Sequence, residues 1–544
     1  MTKTNLWAGL IALLMIALPL NGQVKYEEIL QGPGANWLTY NGDYQGWRYS
    51  PLKQITSQNV ANLVPKWTYR LEPHLETTPI VFNGVMYVTT SNQVNALDAR
   101  TGRRIWQFHD DQSSRQNANR GVAVLGDRVF FLTSDAHLVA LHRNTGAILW
   151  NKQYAQADKG YYATLAPLAL KDRVIVGVGG GDSGIRGFVA AFSASTGEEL
   201  WRFWTVPSRG APGSETWSKF PVEYGGGATW MTGTFDPQLN LIYWPTGNPW
   251  PDLDGSVRRG DNLYTCSMLA LDADTGKLQW YFQFSPHDTH DWDAQAIPVL
   301  VDLNFQGRRR HLLLQANRNG FFYILDRTNG HFLRATPFVQ KLNWATGIDA
   351  KGRPIEAPNL EATPKGTRVC PSGRGGTNWM SPSYSAQTGL LYVPALEQCD
   401  LFTSPEHPPE NAPEPMKDFA GGGDQVIPSE PGKFFLRALD PKTGEKRWEY
   451  PMTGPGLMWA GTLSTAGGLV LFGDDDGQLV ALDARTGKNL WHYFMGQMLT
   501  ASPITYSVDG KQYLCIAAGT DIFTFGLFEP ATPVPLVRTR DELR

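Results

Sequence analysis

Cysteine is scarce in this chain, with four in 544 residues, and none stands in a Cys-x-x-Cys-His arrangement, which excludes a covalently attached c-type haem. Charge is sparse and nearly balanced, 48 Lys and Arg against 51 Asp and Glu, with no basic run. That balance argues against a nucleic-acid partner. Long apolar runs are missing after Leu20. The one such run, Leu6–Leu20, is short for a membrane span; with Lys3 before it and Asn21-Gly22 after it, Met1–Gln23 reads as a secretory signal. Export to the periplasm is therefore the expectation, with a retained N-terminal anchor as the alternative. Export permits a disulfide, and Cys370 and Cys399, which flank one loop-and-strand segment, are the expected pair. Cys266 and Cys515 sit in apolar strand-like contexts and read as buried free thiols.

What is abundant is Gly (56), Pro (37) and aromatic residues (12%), the composition of many short strands joined by turns. An eleven-residue phrase, Ala-Leu-Asp-Ala-Arg-Thr-Gly-x-x-x-Trp, organises them, running from Ala96 to Trp106. It returns at Ala140–Trp150, Ala191–Trp201, Ala270–Trp280, Ala438–Trp448 and Ala481–Trp491, and a degenerate copy, Ile324–Arg334, has lost its Trp. Each copy reads as strand, polar turn, strand: Gly supplies the positive φ of the turn, and Trp a flat surface for docking a neighbouring sheet. Seven copies end seven blades. The early Ala61–Trp67, which resembles the Trp-bearing strand, pairs in this reading with the late strands of Gln512–Leu527 to complete an eighth. The expected fold is thus an all-β, eight-bladed propeller of four-stranded antiparallel sheets, closed by its terminal strands and occupying residues 24–530 as one domain. Residues 531–544 form a tail. Pro-rich Ser404–Pro415 and Gly421–Gly423 read as a surface excursion within the longest interval between copies.

Chemistry is expected where the repeat is interrupted. Three segments qualify: Gly179–Gly187, with Gly180, Gly181 and Asp182; Tyr243–Trp250, with Asn248; and Pro286–Asp293, with two His and three Asp. Each carries oxygen donors in irregular sequence, as a hard cation such as calcium requires. The plainer alternatives are a turn hydrogen bond for Asp182, turn punctuation for Asn248, and a zinc site at His287 and His290, for which no second His or Cys cluster exists.

The repeated phrase, Thr246-Gly247-Asn248-Pro249, the ending Asp291-Trp292-Asp293 and Asn317-Arg318-Asn319-Gly320 together resemble the quinoprotein alcohol dehydrogenases of the methanol dehydrogenase type, which use pyrroloquinoline quinone (PQQ). The resemblance runs from about Asn36 to Leu527. It implies that Asp182 and Asn248 bind a calcium ion, and that Asp293 is the general base with a further metal contact. It implies that Arg318 hydrogen-bonds the quinone carbonyls and Trp230 floors the flat cofactor, with Glu76, Arg120, Thr164, Asn378 and Trp459 as further contacts. Cys370 and Cys399 fall where that family has a bridge.

Three departures from the pattern stand out. The vicinal cysteine pair of methanol-type enzymes is absent from Ser114–Gly121; Asp182 replaces the usual Glu; and Gln295 stands two residues beyond Asp293, where lanthanide-using relatives carry a second Asp. The resemblance implies oxidation of an alcohol, with electrons passed to an external acceptor, a cytochrome c or a membrane quinone; a homo-oligomer is compatible with it. The rival readings are a non-enzymatic propeller scaffold of the outer-membrane assembly type, which leaves Asp182, Asn248, Asp293 and Arg318 unexplained, and a PQQ-dependent polyol or sugar dehydrogenase, which shares every site residue.

Overall fold

The turn of the repeated phrase shows why the sheets form where they do. The Asp98 carboxylate accepts the N–H groups of Arg100 and Thr101 at 2.9 and 3.0 Å, an Asx turn that reverses the chain. Gly102 follows at φ +74°, and a Cβ there would lie 2.6 Å from the Trp67 ring of the preceding sheet. The same contact recurs between Gly146 and Trp106, Gly197 and Trp150, Gly276 and Trp201, Gly330 and Trp280, and Gly487 and Trp448. Several of these indoles also donate to a carbonyl of the turn they cover, as Trp106 does to Arg143 at 2.9 Å. Gly444 is the exception: Arg334 occupies the Trp position of the degenerate copy, and Phe322 and Thr336 cover the glycine instead.

In the computed structural model, which describes residues 22–71, 75–113, 115–406, 414, 420–457 and 459–529, the chain is an all-β propeller of four-stranded antiparallel sheets. Among these residues there are seven sheets of four strands and one to which Tyr49–Ser50 adds a fifth, parallel strand. The expected signal segment up to residue 21, Ser114, most of the Pro-rich excursion and the tail lie outside the described residues. No helix among the described residues is long and apolar enough to cross a membrane.

In most of the sheets consecutive strands pair as a meander. The first sheet is Ile80–Phe82, Val85–Thr89, Gln93–Asp98 and Arg104–His109. Its inner strands are buried on both faces, while the outer one alternates, with Trp106 buried and Ile105 exposed. Leu63–Arg70 pairs with Asp521–Leu527 from Leu63↔Leu527 to Arg70↔Asp521, so the N- and C-terminal strands share one sheet. Trp491 reaches that sheet, its ring 5.6 Å from Phe525. The long interval adds a small sheet of Thr367–Val369, Asp400–Thr403 and Gly423–Val426. Cys370 and Cys399 are disulfide-bonded beside it, while Cys266 and Cys515 are buried free thiols.

The docking contact is testable apart from function. Gly146→Ala puts a β-carbon at φ +71° and 2.6 Å from the Trp106 ring. Left-handed backbone and overpacking together should cost about 2–4 kcal/mol. Urea denaturation should show that loss, with the activity of the folded fraction unchanged.

Candidate active site

The three interrupted segments meet at one cavity of about 290 Å³. A single 3-10 turn, Gly181–Ser183, presents Asp182. Asn248 follows the fully buried strand Leu241–Pro245. The Asp291–Asp293 loop is curled by Asp288, whose carboxylate accepts the N–H of Trp292 at 3.0 Å and that of His290 at 3.4 Å. It is anchored by the Trp292 indole, which donates to the Ser372 carbonyl at 2.9 Å.

Asp293 is held from three sides. Oδ1 accepts the Asn248 backbone N–H at 2.7 Å; Oδ2 accepts the Trp230 indole N–H at 2.9 Å and Arg318 Nη1 at 3.0 Å. Gly247 permits this approach, since a Cβ there would stand 2.6 Å from Asp293 Oδ1. Arg318, buried on the turn after strand Arg308–Ala316, also gives Nη2 to Asp291 Oδ2 at 3.0 Å and to the Gly373 carbonyl at 2.6 Å. One guanidinium thus bridges two carboxylates two residues apart.

The cavity is lined by Arg120, Thr164, Gly180, Gly181, Asp182, Trp230, Asn248, Asp293 and Arg318, all picked out by the sequence. Glu76 stands one step back, paired with Arg120 at 2.5 Å. Asn378 and Trp459 line an adjoining apolar compartment with Met380, Leu396 and Phe434 rather than the acidic cavity. Trp379 joins the two: Trp459 lies against it, nearly parallel with centroids 6.3 Å apart. The Arg120 guanidinium sits 4.5 Å from the Trp379 ring centroid and 5.1 Å from that of Trp230.

Sequence reasoning missed three wall residues, Tyr162, Ala228 and Asp291. Asp291 had a signal, the carboxylate spacing of Asp-Trp-Asp; Tyr162 and Ala228 had none. Gln295 does not face the cavity. Its amide is taken up by the backbone, donating to Ala228 and Pro245 carbonyls and accepting from Met231 N–H, so Gln295 itself offers no ligand atom to the cavity. The zinc alternative also fails. His287 bonds the Gly260 carbonyl, His290 stacks on Trp292, and among the described residues no three His, Cys, Asp or Glu side chains gather as a ligand set.

The electrostatics favour a bound cation. Desolvation in the recessed cavity, then the Asp293 charge, pushes Asp182 up to about 6, although its side chain is open to the cavity space. Burial raises Asp293 as well, with Arg318 opposing it, and raises Asp252 and Asp291 strongly. Burial works to lower Arg318, but Asp291, Asp293 and Asp288 overcome it and raise it. Carboxylates outnumber guanidiniums here, and the donors are hard oxygens, so the residues fit a calcium-like ion. Among the described residues no three His, Cys, Asp or Glu side chains form one ligand set. An ion would therefore rest on mixed carboxylate and amide oxygens together with those of the cofactor. The Trp230 indole at the cavity wall suits a flat ring system.

A pH effect follows for the ligand-free protein. A carboxyl raised from 3.8 to about 6 contributes stability that is full below 3.8 and lost as pH rises through about 6. Because Asp182 is open to the cavity, screening limits the contribution to about 1 kcal/mol. The gain in melting temperature between about pH 7 and about pH 5 should be smaller in Asp182→Asn than in the wild type; equal slopes would contradict it.

Comparison with known proteins defines the class. The glucose/ethanol/alcohol dehydrogenase β-propeller domain, a PQQ domain, matches residues 37–341 and 451–514. The quinoprotein alcohol dehydrogenase PedH of Pseudomonas putida is 37% identical, covering 94% of this chain and 90% of that protein. The 1-butanol dehydrogenase (cytochrome c) of Thauera butanivorans is also 37% identical, over 89% of this chain and 74% of that protein. A solved europium-containing methanol dehydrogenase superposes with a TM-score of 0.85 at 31% identity, over 92% of this chain and all of that one. The chain belongs to the PQQ-dependent alcohol dehydrogenase family, and it is an enzyme of that chemistry rather than a propeller scaffold.

Proposed function

We propose that this is a periplasmic quinoprotein whose eight blades close into a ring around a Ca2+–PQQ site. It oxidises an alcohol to an aldehyde or ketone and passes the electrons to an external acceptor. The closed ring is supported by the series of Gly–Trp docking contacts, ending at Trp491 against the sheet shared by both chain ends. The catalytic reading is carried by Asp293, gripped at the cavity wall by Arg318, Trp230 and the Asn248 N–H.

In this reading Asp182 Oδ, Asn248 Oδ1 and Asp293 hold the ion, while Arg120, Thr164, Trp230 and Arg318 hold the cofactor. Bound PQQ supplies a hydride-accepting carbonyl that the ion polarises. Asp293 takes the hydroxyl proton of the alcohol: its carboxylate lines the cavity and is held in place by three donors. Arg318 keeps that carboxylate oriented and would supply positive charge to the cofactor from the cavity wall. Glu76 fixes Arg120 through their ion pair. The Thauera relative's name supports a cytochrome c acceptor, with a membrane quinone as the alternative.

The test is reconstitution with PQQ and Ca2+, then dye-linked assay against alcohols, polyols and sugars. Dye reduction with alcohols is the expected result. Preference for polyols or sugars would move the substrate class, and no reduction with any of them would sink the reading. A parallel arm with a lanthanide ion addresses the europium-containing relative and the Asp291–Asp293 pair; calcium is expected to give the higher activity.

A further inference from the structure

Asn248 can serve as a metal ligand only through its carbonyl oxygen, and an amide has no intrinsic preference for which end faces the cavity. The structure decides it with a residue outside the cavity wall. Asn248 Nδ2 donates to Asp252 Oδ1 at 2.8 Å and to the Pro249 carbonyl at 3.3 Å. The Pro249 carbonyl only accepts, and the Asp252 carboxylate accepts when ionised, so the amino end faces them. Oδ1 is thereby turned to the opposite side, where it lies 3.7 Å from the position of a Gly181 β-carbon, next to Asp182.

Asp252 is itself buried and rigidly carried. Arg258, fully buried, donates Nε to the Pro251 carbonyl at 2.9 Å and Nη2 to the Asp252 carbonyl at 3.2 Å. The same guanidinium reaches the Asp288 carbonyl at 2.6 Å and Asn262 Oδ1 at 2.9 Å. It therefore ties the loop after Asn248 to the loop that carries Asp291 and Asp293.

We propose that Asp252 is the positioning residue of the metal site: by accepting the Asn248 amino group it aims the Asn248 carbonyl oxygen at the ion. This rests on the reading of Asn248 as a ligand. Outer-shell partners of this kind alter metal affinity by about 10- to 100-fold.

The test is calorimetric titration of the PQQ-loaded protein with CaCl2, independent of turnover. Asp252→Leu, which cannot accept the amide, should weaken Ca2+ binding about 10- to 100-fold. Asp252→Asn, whose carbonyl can still accept it, should stay within about threefold of wild type. In an Asn248→Asp background, where both ligand-end atoms are oxygen, Asp252→Leu should cost nothing. Wild-type affinity in Asp252→Leu, or an equal loss in both backgrounds, would overturn the proposal. If Asp252→Leu fails to fold, the decision falls to Asp252→Asn: retained affinity supports the proposal, and a loss as large as that of Asn248→Ala overturns it. Should Asn248→Ala bind Ca2+ as the wild type does, the ligand assignment itself fails, an outcome distinct from failure of the positioning role.

Discussion

Asp293→Asn should lower kcat by about 10²- to 10⁴-fold while PQQ still binds. The change is nearly isosteric, but the site around it is not symmetric. Oδ2 receives two donors, the Trp230 indole and Arg318, and Oδ1 receives one, the Asn248 N–H. An asparagine would keep its carbonyl at the two-donor position and turn its amino group against the Asn248 N–H. That donor–donor conflict costs about 1–3 kcal/mol of stability and leaves no group able to take a proton. PQQ binding measured by its absorbance, alongside steady-state kinetics, separates the roles. Turnover lost with binding intact marks Asp293 as the base; loss of both together would mark it as chiefly a metal ligand and defeat the prediction.

How far the sequence reached differs between frame and site. The frame was legible because one local rule repeats: the Asx turn at Asp98, the left-handed Gly102 and the ring of Trp67 are all visible as residue types at fixed spacing. The degenerate copy keeps the strand register without the Trp, since Ile324 pairs with Arg334 as Ala96 does with Trp106. Asp182 and Asn248 were legible for the opposite reason, as breaks in that rule, and Arg318 through the resemblance that Asn317–Gly320 helps carry. What could not be read was side-chain direction. Gln295 and Asp291 each lie two residues from Asp293, yet Asp291 reaches the cavity and Gln295 turns into backbone contacts. Nor could spacing reveal that Asn378 and Trp459 face an apolar compartment behind Trp379, because that depends on how distant loops stack.

Arg318 carries the other large effect, and its two substitutions should part ways. Arg318→Met leaves the buried Asp293 and the more exposed Asp291 without the guanidinium that bridges them at 3.0 Å each. Removing one partner of a buried ion pair costs about 3–5 kcal/mol, and that cost falls mainly on Asp293, because solvent screens the more exposed Asp291. A proton can replace the lost charge, so the cost should shrink in acid. The Arg318 charge is what opposes the rise of the Asp293 pKa. Without it Asp293 stays protonated to higher pH, and the acidic limb of the kcat–pH profile should move upward. Arg318→Lys keeps the charge but not the fork: one ammonium cannot serve Asp291, Asp293 and the Gly373 carbonyl together. It should retain most of the stability and leave the acidic limb nearer the wild type, yet lose about 10²- to 10³-fold in kcat because directed donors are missing. Adding Asp291→Asn to Arg318→Met removes one unpaired carboxylate and should recover stability without recovering turnover. An unmoved acidic limb in Arg318→Met would show that Arg318 does not set the protonation of Asp293, and equal activity in Arg318→Lys would show that charge alone suffices.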